Sequence, residues 1–401
     1  VFSRDGKTVF VLAQRRAGFE SDRWYLDAYD LAGGAKRTVF TTPDISISDF
    51  TIDAEGRKIW FTAADEGRDN LFSVPAAGGA AESIVLGGSI SSPQPGAGFV
   101  VFSKSSLTAP PEIFRAATDG SGVKKLTDLA KPWISRVAFT EPESMSVSML
   151  VGKEKSKIQY WLVKPPNFDP AKKYPVVFLI HGGPQGAWQD GWSNRWNPSL
   201  WAAQGWVVAA PNPSGSTGFG QAMVDRISSD WGGRVMLEID AVVAAVAKMP
   251  FSDPQRMGIA GASYGGYAVN WILGAQPAKF KAAVSHDGVY NLDSMTTVTE
   301  ELWFTDWEFG GKPWEPKVRA LLNKWSPHLN GHKIKTPTLI ITNELDYRVP
   351  VDQGLQMFTV LKRNGVPTEA LVFPDEGHWV LKAGNSRVWH DAVFAWMNKY
   401  L

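Results

Sequence analysis

The segment from Arg256 to Tyr267 constrains this chain more than any other. It reads Arg-Met-Gly-Ile-Ala-Gly-Ala-Ser-Tyr-Gly-Gly-Tyr, in which an apolar strand runs into a Gly-x-Ser-x-Gly turn and a helix-compatible segment follows. This pattern is typical of a nucleophile elbow, a tight strand-to-helix turn that projects a serine hydroxyl into a cleft. Gly261 and Gly265 flank Ser263 at positions where a β-carbon would collide with neighbouring backbone. The bare pattern is weak, and the flanking strand and helix are what support the interpretation.

The composition limits the partners and the chemistry. A chain of 401 residues suggests two domains. Its formal net charge of +1 provides no excess that would steer it onto nucleic acid or an anionic membrane, and no apolar run approaches the length of a transmembrane helix. The chain has no cysteine, which excludes disulfides, thiolate metal sites and a cysteine nucleophile. Because Val1 opens in the middle of a pattern, we expect the chain to be the C-terminal portion of a longer protein.

Residues 1–150 carry a repeated strand-and-turn pattern. Glycine turns recur near residues 34, 79 and 120, and this period of roughly 40 to 45 residues matches one four-stranded propeller blade. We therefore expect about three blades in this region. Since propellers close with about 4 to 8 blades, the array is expected to be incomplete. The alternative is a β-sandwich whose turns coincide with this spacing.

Residues 151–401 alternate between apolar strands and helical segments. This alternation predicts an α/β domain with a mostly parallel sheet covered on both faces. The mixed-charge segment Lys153–Lys157 is expected to be a solvated loop. The predicted strands are Val176–Ile180, Trp206–Ala210, Met257–Ala260, Ala282–Ser285, Thr338–Ile341 and Ala370–Phe373. The predicted helices are Leu237–Lys248, Tyr264–Leu273, Val351–Arg363 and Val388–Tyr400.

A serine nucleophile needs a histidine as its base and an acid that orients this histidine. Among six histidines, His378 lies in a loop directly after the last predicted strand, with a glycine before it. Asp346 follows the preceding strand, and Glu344 and Asp352 are its near alternatives. The order Ser263, Asp346, His378 is that of the α/β-hydrolase fold. Three further aspartates are expected to lie in the wrong loops for this role: Asp287, Asp293 and Asp375.

The negative oxygen of a tetrahedral intermediate needs two hydrogen-bond donors. The elbow itself supplies the backbone N–H of Tyr264. The second donor is expected from the loop His181-Gly-Gly-Pro-Gln185, whose glycines allow the backbone to approach a substrate. The ring of His181 and the backbone of Gly182 or Gly183 are the alternatives, and the loop could also be an ordinary turn.

With these motifs in place, the chain resembles the prolyl oligopeptidase family of serine peptidases, which place a C-terminal α/β-hydrolase domain under a β-propeller lid. Within the family it looks most like the dipeptidyl peptidase V and acylaminoacyl-peptidase-like members. It departs from prolyl oligopeptidase and dipeptidyl peptidase IV, which carry a tyrosine in place of His181. The motifs that carry the resemblance are His181–Pro184, Asn212–Gly220, Gly261–Tyr267, Asp346–Pro350 and Glu376–His378.

The resemblance implies hydrolysis of short peptides through an acyl-enzyme, with release of N-terminal dipeptides that have an apolar residue before the cut. It places Val284 and Tyr290 in the pocket for that residue. Trp303 and Phe304 would wall the same region unless they belong to the core, and Arg348 is included among the substrate-binding residues.

Two other activities remain open at this point: an acylaminoacyl peptidase or oligopeptidase, and a carboxylesterase with the same triad. A non-catalytic propeller module is disfavoured because all three triad positions are intact. A serine triad requires no metal or cofactor, and no His-Glu-x-x-His pattern is present. The expected partners are peptide substrates, without nucleic acid or membrane, and homo-oligomerisation is left open. The sequence leaves the location unknown, and only the family resemblance points to a periplasmic or secreted protein.

Overall fold

The computed structural model describes residues 1–42 and 44–401, which separate into two compact units. The first unit contains Val1–Ala138, Gln189–Ser193 and Thr217–Val224. The second contains Phe139–Trp188, Asn194–Ser216 and Asp225–Leu401. The second unit thus begins ahead of the boundary that the sequence places after residue 150.

The first unit contains three antiparallel groups of strands, a short helix, α1 (Lys131–Ile134), and most of a second short helix, Gln221–Asp225. The groups are β1–β3, β4–β7 and β8–β11, and a single parallel pair, Asp69 with Ser89, connects the second group to the third. The strands of the first two groups are β1 (Thr8–Ala13), β2 (Tyr25–Asp30), β3 (Lys36–Phe40), β4 (Ile47–Ile52), β5 (Lys58–Asp65), β6 (Arg68–Pro75) and β7 (Glu82–Val85). Those of the third are β8 (Ser89–Gly96), β9 (Phe99–Ser106), β10 (Ala109–Ala117) and β11 (Lys124–Lys125).

The glycine turns predicted from the sequence all use the left-handed backbone region. Gly34, Gly79 and Gly120 have φ angles of 69°, 139° and 84°. A β-carbon at Gly120 would also lie 2.0 Å from the carbonyl oxygen of Ile84. Glycine is therefore required at this turn for two reasons, its φ angle and its close approach to a neighbouring strand.

The second unit is built on an eight-stranded sheet in the order β12-β13-β15-β14-β16-β17-β18-β19. Strands β14 to β19 are parallel to one another, whereas β12 and β13 form an antiparallel hairpin that pairs with β15. The strands are β12 (Glu143–Val151), β13 (Glu154–Val163), β14 (Tyr174–Ile180), β15 (Val207–Asn212), β16 (Ser252–Ala262), β17 (Ala282–His286), β18 (Thr338–Asn343) and β19 (Thr368–Phe373).

Helices cover this sheet and bury apolar side chains at helical spacing. In α4 the buried residues include Val235, Ile239, Val242 and Val246, which repeat every three or four positions. In the described part of the chain, no helix is both long enough and apolar enough to cross a membrane. The helices after α1 are α2 (Pro198–Ala202), α3 (Gln221–Asp225), α4 (Arg234–Ala247), α5 (Tyr264–Ala275), α6 (Leu292–Val298), α7 (Leu302–Phe309), α8 (Pro316–Trp325), a 3-10 helix (Pro327–Lys333), α9 (Asp352–Arg363) and α10 (Ala383–Tyr400).

The prediction of a solvated loop over Lys153–Lys157 is wrong. Only the turn at Gly152 and Lys153 is a loop, and β13 begins at Glu154. The partner strand explains the difference, because Glu154, Lys155 and Lys157 pair with residues of β12 while their side chains stay exposed. Exposed charged residues are compatible with a strand once a neighbour satisfies its backbone hydrogen bonds.

Candidate active site

Ser263 occupies the sharp turn between β16 and α5. Its φ and ψ angles are 59° and −122°, a backbone conformation that non-glycine residues rarely adopt. A β-carbon at Gly261 would lie 2.4 Å from the carbonyl oxygen of Gly265, and one at Gly265 would lie 2.2 Å from that of Ile180. The two glycines therefore allow the close contacts that hold the strained serine, as a nucleophile elbow requires.

The sheet brings the predicted site residues to one edge. Ser263 follows β16, Asp346 follows β18 and His378 follows β19, and all three strands are parallel. The backbone N–H of Ser263 donates to the carbonyl oxygen of His286 at the end of β17, at 2.9 Å. The N-terminus of α5, which is the positive end of the helix dipole, lies at the serine and favours negative charge there.

Asp346 and His378 are directly hydrogen-bonded. Nδ1 of His378 lies 2.7 Å from Oδ2 of Asp346. The other carboxylate oxygen, Oδ1, accepts the backbone N–H groups of Arg348 and Val349, each at 2.9 Å. Because Asp346 is buried and held by two backbone donors, it presents one fixed oxygen to the imidazole.

The alternative acids and histidines have other surroundings. Glu344 is exposed, and Asp352 accepts hydrogen bonds from Gln353 and Gln356 at the start of α9. Asp375 is exposed, and its hydrogen bond with Lys382 lowers the pKa of its carboxyl. His390 bonds through its ring to the carbonyl oxygens of Ser386 and Arg195.

The ring of His181 is already occupied at both nitrogens. Nδ1 lies 2.8 Å from the carbonyl oxygen of Gly182, and Nε2 lies 2.9 Å from the hydroxyl oxygen of Ser216. Burial lowers the pKa of His181 to about 4, so the ring is neutral at physiological pH. A neutral imidazole carries one N–H, which the Gly182 carbonyl takes, so Nε2 accepts the proton of Ser216. This arrangement disfavours the His181 ring as an oxyanion donor.

The backbone of Gly182 lies directly against the serine. A β-carbon at Gly182 would be 3.3 Å from Cβ of Ser263 and 3.9 Å from its Oγ. Tyr264 follows the serine as the first residue of α5, and its own hydroxyl is turned away to donate to the carbonyl oxygen of Trp231 at 2.8 Å. Of the two alternatives for the second donor, the structure thus favours a backbone amide of the glycine loop over the histidine ring.

The buried, neutral state of His181 predicts a loss of stability in acid. The unfolded chain binds a proton at this side chain below about pH 6.5, whereas the folded chain does so only near pH 4. The stability that the fold gains by keeping His181 neutral is therefore fully present above pH 6.5 and is lost as the pH falls toward 4. Between pH 7 and pH 5 it should cost about 2 kcal/mol of unfolding free energy.

Denaturation of the native protein and of His181→Gln at both pH values would measure this effect. The native protein should lose the larger unfolding free energy on acidification, because glutamine does not titrate. Equal losses in the two proteins would contradict the prediction.

Two expected pocket residues lie in the core instead. Val284 is completely buried inside β17, where it pairs with Ala260 and Leu339. Tyr290 is also buried, and a β-carbon at Gly331 would lie 1.9 Å from its hydroxyl oxygen. Neither side chain presents a surface to a substrate, because the strand and loop that carry them direct them into the packed interior.

The aromatic residues of α7 divide between core and surface. Phe304 is buried, with its ring 6.0 Å from that of Trp231, so it belongs to the core. Trp303 is 52% exposed. Its exposure leaves it available as a pocket wall, the role that the resemblance implies.

Arg348 lies close to His378 because its guanidinium packs on Trp379, a residue that the sequence reasoning did not single out. Its guanidinium lies 5.0 Å from the ring centroid of Trp379, which follows His378 directly and is 41% exposed. One guanidinium nitrogen also lies 3.0 Å from a carboxylate oxygen of Glu301. Arg348 and Trp379 together form a partly exposed wall beside the imidazole.

Sequence reasoning also missed polar residues behind the site. Asp287 was expected in the wrong loop, yet its carboxylate and the polar atoms of Asp346 and His378 all lie within 4.8 Å of one another. Within residues 1–42 and 44–401 this is the only set of three or more His, Asp and Glu side chains close enough together to hold a metal ion. Because His378 and Asp346 are bonded to each other, the group has the pairing that a serine triad uses.

Comparison with known proteins places these features in context. Residues 192–401 match the prolyl oligopeptidase family. Dipeptidyl-peptidase 5 of Aspergillus fumigatus is 39% identical over 412 residues, covering 100% of this chain and 56% of the relative. The chain therefore spans little more than half the length of the relatives it matches.

Solved structures give the same relationship at lower identity. An acylaminoacyl peptidase in complex with Z-Gly-Gly-Phe-chloromethyl ketone superposes with a TM-score of 0.85 and 25% identity, covering 98% of this chain and 61% of that chain. Pyrococcus horikoshii acylaminoacyl peptidase superposes with a TM-score of 0.83 and 25% identity, covering 99% of this chain and 60% of that chain.

Proposed function

Because the chain belongs to the prolyl oligopeptidase family of serine peptidases, we propose that it carries the catalytic site of a serine peptidase acting on short peptides. Ser263 is the nucleophile, His378 the general base and Asp346 the residue that orients it. The observation that carries this proposal is the 2.7 Å bond between Asp346 and His378 at the same sheet edge as the strained Ser263.

The reaction proceeds through an acyl-enzyme. Oγ of Ser263 attacks the scissile carbonyl while Nε2 of His378 takes its proton and then delivers it to the leaving amine. The backbone N–H of Tyr264 and a backbone N–H of the Gly182–Gly183 loop bind the developing oxyanion. Water then attacks the ester of Ser263, with His378 again acting as base, and the acid product leaves.

The proposed substrates are peptides with a free N-terminus, cut after the second residue, with an apolar side chain before the cut. The names of the dipeptidyl-peptidase relatives support the first part of this proposal. The acylaminoacyl peptidase was solved with a ligand that carries phenylalanine next to its chloromethyl ketone, which supports an apolar side chain before the cut. The same structure supports the second candidate, removal of a blocked N-terminal residue.

The three antiparallel groups of strands in the first unit are proposed to be blades of an incomplete β-propeller. The groups β4–β7 and β8–β11 have four antiparallel strands each, which is the composition of a propeller blade. The group β1–β3 has three strands and an additional isolated bridge between Phe2 and Val9. The boundary of this propeller portion is then Ala138.

Hydrolysis of Gly-Phe p-nitroanilide and of its N-acetylated form by the full-length protein tests the substrate proposal. A dipeptidyl peptidase should cleave the free-amine substrate at least about tenfold faster in kcat/KM, equivalent to about 1.4 kcal/mol of amine recognition. Preference for the acetylated substrate would instead indicate a site that does not require a free N-terminus, as expected of an oligopeptidase or acylaminoacyl peptidase, and would contradict the dipeptidyl proposal.

A matched ester and the Ser263→Ala variant serve as controls for this experiment. Turnover of the ester without any cleavage of either anilide would contradict the peptidase proposal and indicate a carboxylesterase. Ser263→Ala supplies the blank rate for all three substrates.

A further inference from the structure

The peptide unit between His286 and Asp287 connects the strand of the nucleophile with the strand of the acid. The carbonyl oxygen of His286 accepts the N–H of Ser263 at 2.9 Å. The N–H of Asp287 donates to the carbonyl oxygen of Ile341 in β18 at 2.8 Å. Asp287 is therefore placed at the centre of the sheet edge, between the elbow and the strand that leads to Asp346.

The side chain of Asp287 reaches the histidine loop through one amide group. Nδ2 of Asn343 lies 2.9 Å from Oδ2 of Asp287 and 2.7 Å from the carbonyl oxygen of Gly377, the residue before His378. Asn343 is completely buried. A single amide thus ties the carboxylate of Asp287 to the backbone that carries the imidazole.

Asp287 is held in this place at an energetic cost. The residue is buried, and its φ angle of 44° lies in the left-handed region that favours glycine. Among the described residues, its Oδ1 has no hydrogen-bond partner. A strained, buried and incompletely bonded carboxylate behind a catalytic pair calls for a functional explanation.

Its electrostatic surroundings contain two imidazoles and one carboxylate. Burial raises the pKa of the Asp287 carboxyl and Asp346 adds to the rise, whereas His286 and His378 oppose it. Nε2 of His286 lies 3.0 Å from Oδ2 of Asp287. Two imidazoles therefore lie beside the carboxylate of Asp287.

Further titratable side chains line a small cavity beside His286. This cavity is lined by its ring together with Arg195, His390, Ser386 and the rings of Trp196 and Trp389. Arg195 and His390 thus line this cavity together with His286. The groups that act on Asp287 most directly remain His286, Asp346 and His378.

We infer that Asp287 is a positioning residue for His378, which it supports in two ways. Through Asn343 it fixes the loop that carries the imidazole, and in its ionised form it adds a second negative charge beside the Asp346–His378 pair. This charge stabilises the imidazolium that forms when His378 takes the proton of Ser263. The inference rests on the proposed function, because it assigns Asp287 a role in the same reaction.

The variant Asp287→Asn tests the role of the charge, because its side-chain oxygen can still accept from Asn343. Loss of a carboxylate this close to an imidazole should move the acid side of the kcat/KM profile to lower pH by about one unit. At the plateau, kcat should fall about tenfold with little change in KM, because the imidazolium formed in the transition state is less stabilised and the activation barrier is higher. Asp287→Glu, which keeps the charge, should retain the native acid side.

Asp293→Asn is the matched control, because Asp293 lies in the next helix and its side chain is 46% exposed. A fluorophosphonate titration of Ser263 gives the active fraction of each variant, so that a folding defect is not counted as lost catalysis. Should Asp287→Asn fail to fold, Asp287→Ser removes the same charge and is read in the same way. If the acid side of the kcat/KM profile of the charge-free variant lies at the same pH as in the native protein, the inference is overturned.

The failure of this inference is distinguishable from failure of the proposed function. If Ser263→Ala retains native activity, the proposed function itself is wrong. If Ser263→Ala is inactive while the Asp287 variants keep both the native pH profile and the native kcat, only the role of Asp287 is wrong.

Discussion

Replacement of Ser263 by alanine is expected to lower kcat by about 10⁶. In the proposed mechanism the hydroxyl at the elbow forms the covalent bond to the substrate, and no other described side chain shares its position between β16 and α5. Oxyanion donors and substrate binding alone would sustain only the small residual rate seen when a triad serine is lost. Turnover of Gly-Phe p-nitroanilide, together with fluorophosphonate labelling, measures the effect.

The substitution should leave the fold intact. Alanine keeps the β-carbon of serine, and Ser263 makes no side-chain cap to α5 in the described structure. Ser148→Ala, on the exposed face of β12, is the matched control and should retain native activity. A Ser263→Ala variant that keeps more than a tenth of native kcat would falsify the assignment of the nucleophile.

The parallel part of the sheet could be predicted from sequence for a physical reason. Strands buried on both faces read as continuous apolar runs. The six apolar runs all became strands, from β14 to β19, and only the last run, in the edge strand β19, begins with an exposed residue. The four predicted helices also appear, as α4, α5, α9 and α10. The Gly-x-Ser-x-Gly pattern fixed the turn between β16 and α5, because the glycines have close backbone contacts on both sides of the serine.

The antiparallel hairpin β12–β13 escaped prediction because its stability depends on its neighbours. In β12, partly buried and exposed residues alternate, which is the pattern of a strand with one solvent-exposed face. Its Ser and Met residues and the charged start of β13 have little strand signal of their own. The backbone hydrogen bonds between β13 and β15 hold the hairpin in the sheet, although its local sequence has little strand preference.

Chain order predicted which side chains gather at the sheet edge, but not the direction in which each points. Asp346 and His378 meet as the order of their strands implies. Tyr290 lies at a position that resemblance assigns to the pocket, yet its ring turns into the core beside Gly331. The sequence analysis excluded Asp287 as the triad acid because of the loop in which it lies. Its φ angle is positive, and its carboxylate lies close to Asp346 and His378. Such a φ angle at an aspartate has no sequence signature.

Asp346→Asn is expected to lower kcat by about 10⁴ with little effect on KM. In the native site, Oδ1 accepts the N–H groups of Arg348 and Val349, and Oδ2 accepts from Nδ1 of His378. The single oxygen of asparagine must take the place of Oδ1, because both backbone donors need an acceptor. Its NH₂ group then faces Nδ1, which has to give up its proton and accept.

The consequence is the wrong tautomer of the base. With Nδ1 accepting, the imidazole carries its proton on Nε2, and that nitrogen cannot take the proton of Ser263. Comparison of kcat for Asp346→Asn and Glu344→Gln in the full-length protein measures the effect, with Glu344 as the exposed alternative acid two residues away. A large loss in Glu344→Gln with near-native activity in Asp346→Asn would move the role of the acid to Glu344. Native-like kcat in both variants would remove the carboxylate from the mechanism altogether.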